Sequence, residues 1–144
     1  MGFQMQRYPN GNIRKFKARF CFTGDQQVHG VDHFDTFAPV VSWTTVRILL
    51  ILSVILRLDT KQVDYTRAFL HAPITEDVYV HMSRGFAEEV KVLKLQRSLY
   101  GLRQSPRNFF EHLKENLIRV GFKQSEVDPC LFHLRDSYLF SLHL

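Results

Sequence analysis

The order of structure-forming segments predicts a single α+β domain. A strand pair, a helix, two short strands, a second helix and a closing hairpin follow one another without the regular strand-helix alternation of a doubly wound sheet. Three observations carry that expectation. An Asn10-Gly11 pair sits between two extended, charged runs, the apolar run Val46 to Leu58 contains neither Gly nor Pro, and Ser105-Pro106 and Gly121 bracket a run with helical spacing of apolar residues.

The first segment, Met1 to Phe22, reads as a hairpin turning at Pro9-Asn10-Gly11-Asn12, because Asn-Gly accepts the positive φ that tight hairpin turns require. Side chains alternate along a strand, so Lys15, Lys17 and Arg19 project from one face. Three cations there suit either a grip on phosphates or a charged edge that protects the sheet from aggregation. Gln26 to Val41 has neither a helical nor a strand period and contains Gly30 and Pro39, which predicts a packed loop anchored by Phe34 and Phe37. His29 and His33 are spaced like ligands on a helix, but Gly30 opposes a helix and no metal is expected there.

Ser42, Thr44 and Thr45 are candidate N-caps for a helix running to Leu58. Its length exceeds an ordinary strand, and being apolar nearly all round it is expected in the interior. Thr60 to Val63 can then extend as a strand ending at Asp64. Pro73 and Glu76-Asp77 mark a turn, Val78 to Met82 is β-prone, and Val90 to Leu95 alternates apolar and basic residues, so these two runs are expected to pair. Ser98 to Pro106 is a loop that starts the second helix, with Ser105 as N-cap and Pro106 as first helical residue. Phe110, Leu113, Leu117 and Val120 share a face of that helix and Gly121 ends it. Asp128-Pro129 leads into a strand Cys130 to Leu134, Arg135 to Ser137 turns the chain, and Tyr138 to Leu144 is the last strand.

With 144 residues, 45% hydrophobic and 13% aromatic, the chain can bury one core and is not a disordered tail. Nineteen Lys and Arg against fourteen Asp and Glu give a net charge of +5, which suits an anionic partner such as nucleic acid as well as it suits a basic, solvated surface. Cys21 and Cys130 stand far apart without spaced partners, so neither a disulfide framework nor a zinc module is indicated, and both read as buried thiols in a reducing compartment. Met1 to Asn10 lacks the apolar core of a signal peptide. The apolar run Ile48 to Leu56, between Arg47 and Arg57, falls well short of the roughly 20 residues of a membrane span, and no membrane association is expected.

At the centre lies QVDYTRAFLH, Gln62 to His71. A carboxylate such as Asp64 at a strand end is a hard oxygen ligand for a cation, though aspartates there more often form turns. Four further blocks accompany it in one order: KARF at Lys17 to Phe20, GVDHFDTFAPVVSWTTVR at Gly30 to Arg47, LKLQRSLYGLRQSPRNFF at Leu93 to Phe110 and GFKQSEVDPCLF at Gly121 to Phe132. Together they resemble the reverse transcriptase of copia-type LTR retrotransposons, the reverse transcriptase domain of the Pol polyprotein, over most of the chain.

The resemblance implies the fingers and part of the palm of a right-hand polymerase, with residues of about 1–60 and 74–98 fingers-like and about 61–73 and 99–144 palm-like. It implies that Asp64 is the first of three catalytic carboxylates holding two Mg2+ ions, with the backbone carbonyl of Tyr65 as a further ligand. Such a metal pair acidifies the attacking 3′-hydroxyl and neutralises charge on the leaving pyrophosphate. Phe69 takes the place of an aromatic gate beneath the sugar, where a ring rejects a 2′-hydroxyl; an ordinary core phenylalanine is the alternative. Lys17 and Arg19 fall in the triphosphate-binding strand, Tyr65 and Tyr100 lie beside the nucleotide, and Lys15 and Arg103 face the template-primer backbone. The implied partners are an RNA or DNA template-primer and deoxynucleoside triphosphates, inside intracellular particles.

Departures from the family are equally specific. The chain contains no Tyr-x-Asp-Asp box, the source of the other two carboxylates, so a fragment truncated before that hairpin and inactive in nucleotidyl transfer is expected. The thumb, connection and ribonuclease H parts are not expected in it either. Phe22 and Thr23 replace a small residue and an arginine, and Ser83-Arg84-Gly85-Phe86 replaces a Pro-containing version. The other expectations are a residual nucleic-acid-binding module and a non-functional remnant of a transposable element.

Overall fold

The computed structural model describes residues 2–82, 92–134 and 138–141. Strands β1 (Gly2–Arg7) and β2 (Ile13–Arg19) form the predicted antiparallel hairpin, with Gln4 opposite Lys17 and Gln6 opposite Lys15. Gly11 takes a φ of 84° in its turn, and the Tyr8 N–H donates to the Asn12 carbonyl at 2.9 Å. The following loop corrects one expectation. Phe34 and Phe37 are exposed, Phe37 to 81%, and the buried side chains there are Val41 and His33; the His33 ring meets that of His29 edge to face at 5.4 Å.

Helix α1 (Trp43–Ile55) starts at Ser42, whose Oγ accepts from the Thr45 N–H at 3.2 Å. It does not lie in the interior: no residue of it is buried, and Val54 is 78% exposed. An apolar helix is covered only where other elements reach it, and here the core meets it at Val46 near its start. The same end is held by Asp128, which accepts from the Thr45 hydroxyl at 2.6 Å, the Ser42 N–H at 3.2 Å and the Cys130 N–H at 2.9 Å. Burial pushes the Asp128 carboxyl up, but these three donors outweigh it and hold it below the ordinary carboxylate range. Residues 60–63 also differ from expectation, being irregular and exposed. A strand needs a neighbour for its backbone hydrogen bonds, and none of the described sheets includes this run.

Strands β3 (Tyr79–His81) and β4 (Val92–Lys94) pair antiparallel as expected, with Tyr79 opposite Lys94. The Ser83 to Phe86 variation lies outside the described residues. Helix α2 (Ser105–Val120) begins one residue early: Gln104 is the N-cap position, and the Ser105 hydroxyl donates to the Leu99 carbonyl at 2.5 Å instead of capping. Its buried face is Phe109, Phe110 and Leu113, flanked by Leu117, while Val120 is 71% exposed because the last turn runs past the core. Gly121 ends it with a φ of 107°.

Strands β5 (Lys123–Gln124), β6 (Leu131–Leu134) and β7 (Tyr138–Ser141) form an antiparallel sheet in that order. Cys130 lies in the turn before β6, not in the strand, and the expected turn at residues 135–137 falls outside the described residues. Two apolar clusters hold these pieces. Val41, Ala72, Phe109, Phe110, Leu113 and Cys130 form one, and Val78, Val80 and Leu102 the other. Cys130 is a buried thiol as expected, whereas Cys21 is exposed.

Candidate functional site

After Tyr65 the chain reverses at Thr66-Arg67, with Arg67 in the left-handed region at a φ of 59°. A non-glycine residue pays about 1 kcal/mol or more for that conformation. The reversal leads into a 3-10 turn at Ala68–His71. Phe69, partly buried, comes to 5.0 Å from the Tyr100 ring and 6.2 Å from the Phe109 ring, and Tyr65 meets Phe109 edge to face at 5.6 Å. Tilted and edge-to-face ring pairs contribute about 0.5–1.5 kcal/mol each beyond the area they bury. The four rings therefore join the segment after Asp64 to the loop 98–104 and to the first turns of α2.

Backbone and side-chain bonds fix the same junction. The fully buried Ser98 donates its N–H to the Ala72 carbonyl at 2.9 Å and accepts from Asn108 Nδ2 at 3.1 Å, and Arg97 Nη1 donates to the His71 carbonyl at 2.9 Å. On its other side, loop 98–104 meets the chain leaving the hairpin. The Phe22 N–H donates to the Tyr100 carbonyl at 2.8 Å, and Arg103 Nε donates to the Gly24 carbonyl at 2.6 Å. Gly101 has a φ of 93°, and a Cβ there would fall 1.9 Å from the Phe22 carbonyl oxygen, so only glycine lets these backbones approach.

Of the residues singled out from the sequence, Tyr65 and Phe69 thus meet at Phe109 and Tyr100 packs on Phe69, with the exposed Asp64 preceding Tyr65 in the chain. Lys15, exposed, and Lys17, half-buried, stand on β2, and Arg19 closes that strand opposite Gly2; the hairpin is a separate two-stranded sheet. Arg103 is exposed, with its Nε engaged by Gly24. Sequence reasoning missed Phe109. The adjacent Phe109 and Phe110 were the available signal, but helical spacing alone leaves open which of two neighbours begins the buried stripe.

Asp64 and the Tyr65 carbonyl do not make a two-metal centre. Among the described residues no group of three or more His, Cys, Asp or Glu side chains could hold a metal ion, so the residues present do not fit a magnesium pair. A second feature is an open groove of about 820 Å³ lined by Phe34, Phe37, Arg103, Arg107 and Lys114 together with the carboxylates Asp35 and Glu111. Arg107 there pairs with Asp35 at 3.3 Å and Lys114 with Glu111 at 3.6 Å. Exposed rings interleaved with cations are the surface chemistry that single-stranded nucleic acid uses, through stacking and phosphate contact. No helix among the described residues is long and apolar enough to cross a membrane.

The family model described as reverse transcriptase (RNA-dependent DNA polymerase) matches residues 5–138. The retrovirus-related Pol polyprotein from transposon RE1 of Arabidopsis thaliana is 36% identical over 129 residues, covering 88% of this chain and 9% of that protein. The corresponding polyprotein from transposon TNT 1-94 of Nicotiana tabacum is 33% identical over 138 residues, covering 94% of the chain and 10% of its own length. The transposon Ty1-H Gag-Pol polyprotein of Saccharomyces cerevisiae is 35% identical, with 89% and 8% covered. The chain therefore spans about a tenth of the length of these relatives. No solved structure matches it.

Proposed function

The chain belongs to the reverse transcriptase (RNA-dependent DNA polymerase) family, and on that premise we propose that it is the fingers and part of the palm of a transposon polymerase. In this reading Asp64 is the first metal-binding carboxylate, with the Tyr65 carbonyl beside it, and Phe69 lies beneath the sugar of the incoming deoxynucleotide. Tyr100 flanks the nucleotide, Lys17 and Arg19 meet its triphosphate, and Lys15 and Arg103 meet template-primer phosphates. The observation that carries this is the 5.0 Å contact between the Phe69 and Tyr100 rings. It joins the two blocks of sequence that the reading requires at one nucleotide, although 31 positions separate them in the chain.

The 144-residue polypeptide carries Asp64 without a Tyr-x-Asp-Asp box, so in this reading it does not by itself extend a primer, and nucleic-acid binding is the role left to it. A single metal-binding carboxylate does not supply the charge stabilisation on which phosphoryl transfer depends. Arg103 and the exposed rings of Phe34 and Phe37 in the groove support retained binding.

The test uses the 144-residue chain with a labelled primer on an RNA template, deoxynucleoside triphosphates and Mg2+, and follows binding by fluorescence anisotropy across a salt series. The expected result is no extension, with binding that weakens steeply as salt rises. Extension that disappears in Asp64→Asn refutes inactivity. Absence of binding at low salt refutes the binding role and leaves a non-functional remnant.

A further inference from the structure

Gln104 is fully buried at the head of α2, and its carboxamide is committed to a segment more than 70 positions away in the chain. Its Nε2 donates to the Asp32 carbonyl at 2.8 Å, and its Oε1 accepts from Gln27 Nε2 at 2.9 Å. The Gln27 Oε1 in turn accepts from the Arg103 N–H at 2.8 Å. A carboxamide presents a donor on one side and an acceptor on the other, so two interlocked amides admit one relative register of the two segments. An apolar side chain of the same volume fills space but does not choose between registers.

This latch is one end of a longer seam. The Arg103–Gly24 bond, the close approach of Gly24 to the Gly101 carbonyl, where a Cβ would meet the oxygen at 2.4 Å, and the Phe22–Tyr100 bond continue it toward the hairpin. The strand that carries Lys15 and Lys17 leads into the seam at Phe22, while the Tyr100 ring packs on Phe69 from the other side.

We infer that Gln104 is a positioning residue. With Gln27 it fixes the register of segment 24–32 on the loop that carries Tyr100, and so sets where the hairpin lysines stand relative to the Phe69–Tyr100 pair. The inference rests on reading those groups as a nucleotide site. Gln104 itself need not touch the nucleotide.

The experiment is residue-resolved amide hydrogen exchange on the 144-residue chain and its Gln104→Leu variant, followed by titration of each with deoxythymidine triphosphate. Exchange at Phe22 and Arg103 is expected to rise roughly tenfold with α2 core amides such as Leu113 unchanged, and the nucleotide Kd to rise by a similar factor. Unchanged exchange at Phe22 and Arg103 overturns the inference. So does an equal acceleration in α2, which marks general destabilisation, or a nucleotide affinity that survives a selective loosening of the seam. If the unsubstituted chain binds no triphosphate while exchange responds selectively, the nucleotide-site reading fails and the register role stands. Should Gln104→Leu not fold, Gln27→Ala breaks the same latch from its half-buried side, and the same outcomes decide.

Discussion

Replacing Asp128 by alanine removes the acceptor that three donors share at the start of α1. The carboxylate is 5% exposed and receives the Thr45 hydroxyl, the Cys130 N–H and the Ser42 N–H at 2.6, 2.9 and 3.2 Å. Hydrogen bonds to a charged acceptor contribute about 1.5–3 kcal/mol each, and a buried donor left without a partner costs about 1–3 kcal/mol. Ser42 is exposed and Thr45 half-buried, so water replaces part of what their donors lose, whereas the Cys130 N–H lies in the core. The net loss is expected to be about 2–4 kcal/mol, a large part of the roughly 5–15 kcal/mol that holds a domain of this size. Asp128→Asn keeps an oxygen for Cys130 but turns an NH2 toward the Ser42 N–H, and should lose about 1–2 kcal/mol.

Urea unfolding of wild type and both variants measures these values, and amide exchange should show α1 loosened before α2, since the core meets α1 at Val46, close to the end that Asp128 holds. Because the folded Asp128 carboxyl lies below its unfolded value of 3.8, its stabilisation is fully present well above that pH. It disappears as pH falls through the folded value. The gap between wild type and Asp128→Ala should therefore be widest near neutrality and shrink below about pH 4. A loss under about 0.5 kcal/mol, or a gap that stays constant down to pH 2, refutes the role assigned to this carboxylate.

Three other outcomes follow from the geometry. Gly101→Ala places a methyl group against the Phe22 carbonyl in a left-handed backbone and should cost at least about 2 kcal/mol in thermal unfolding; a change below about 0.5 kcal/mol counts against the tight seam. Burial, with the Asp128 charge beside it, pushes the Cys130 thiol up to about 11 while Cys21 is exposed, so a disulfide reagent at pH 8 should titrate one thiol quickly and the second only in denaturant. Two fast thiols would contradict the packing of Cys130. Lys17→Ala should reduce the slope of log binding constant against log salt by roughly 0.7–0.9 for nucleic acid, and an unchanged slope removes Lys17 from the phosphate contacts.

Local chemistry made much of the fold legible. The Asn10-Gly11 turn, the Ser42 cap and the left-handed Gly121 are settled by residues a few positions apart, and so the hairpin and the limits of both helices came close to the observed ones. The five family blocks, in order, likewise pointed to the reverse transcriptase family that the family model identifies. What local chemistry left open was cover. The apolar surface of α1 states that the helix favours burial, but only neighbouring elements supply it, and here they reach Val46 and leave Val54 in solvent. Residues 60–63 have the composition of a strand, yet a ladder needs a second backbone, and no described sheet includes them. Gln104 looked like any polar residue in a loop until the fold brought Gln27 and Asp32 to it. The sequence by itself determined the Asn10-Gly11 turn, the Ser42 cap, the end of α2 at Gly121 and the family. The tertiary structure alone decided which apolar faces are buried and which distant amides meet, because burial and long-range hydrogen bonding depend on the partner as much as on the residue.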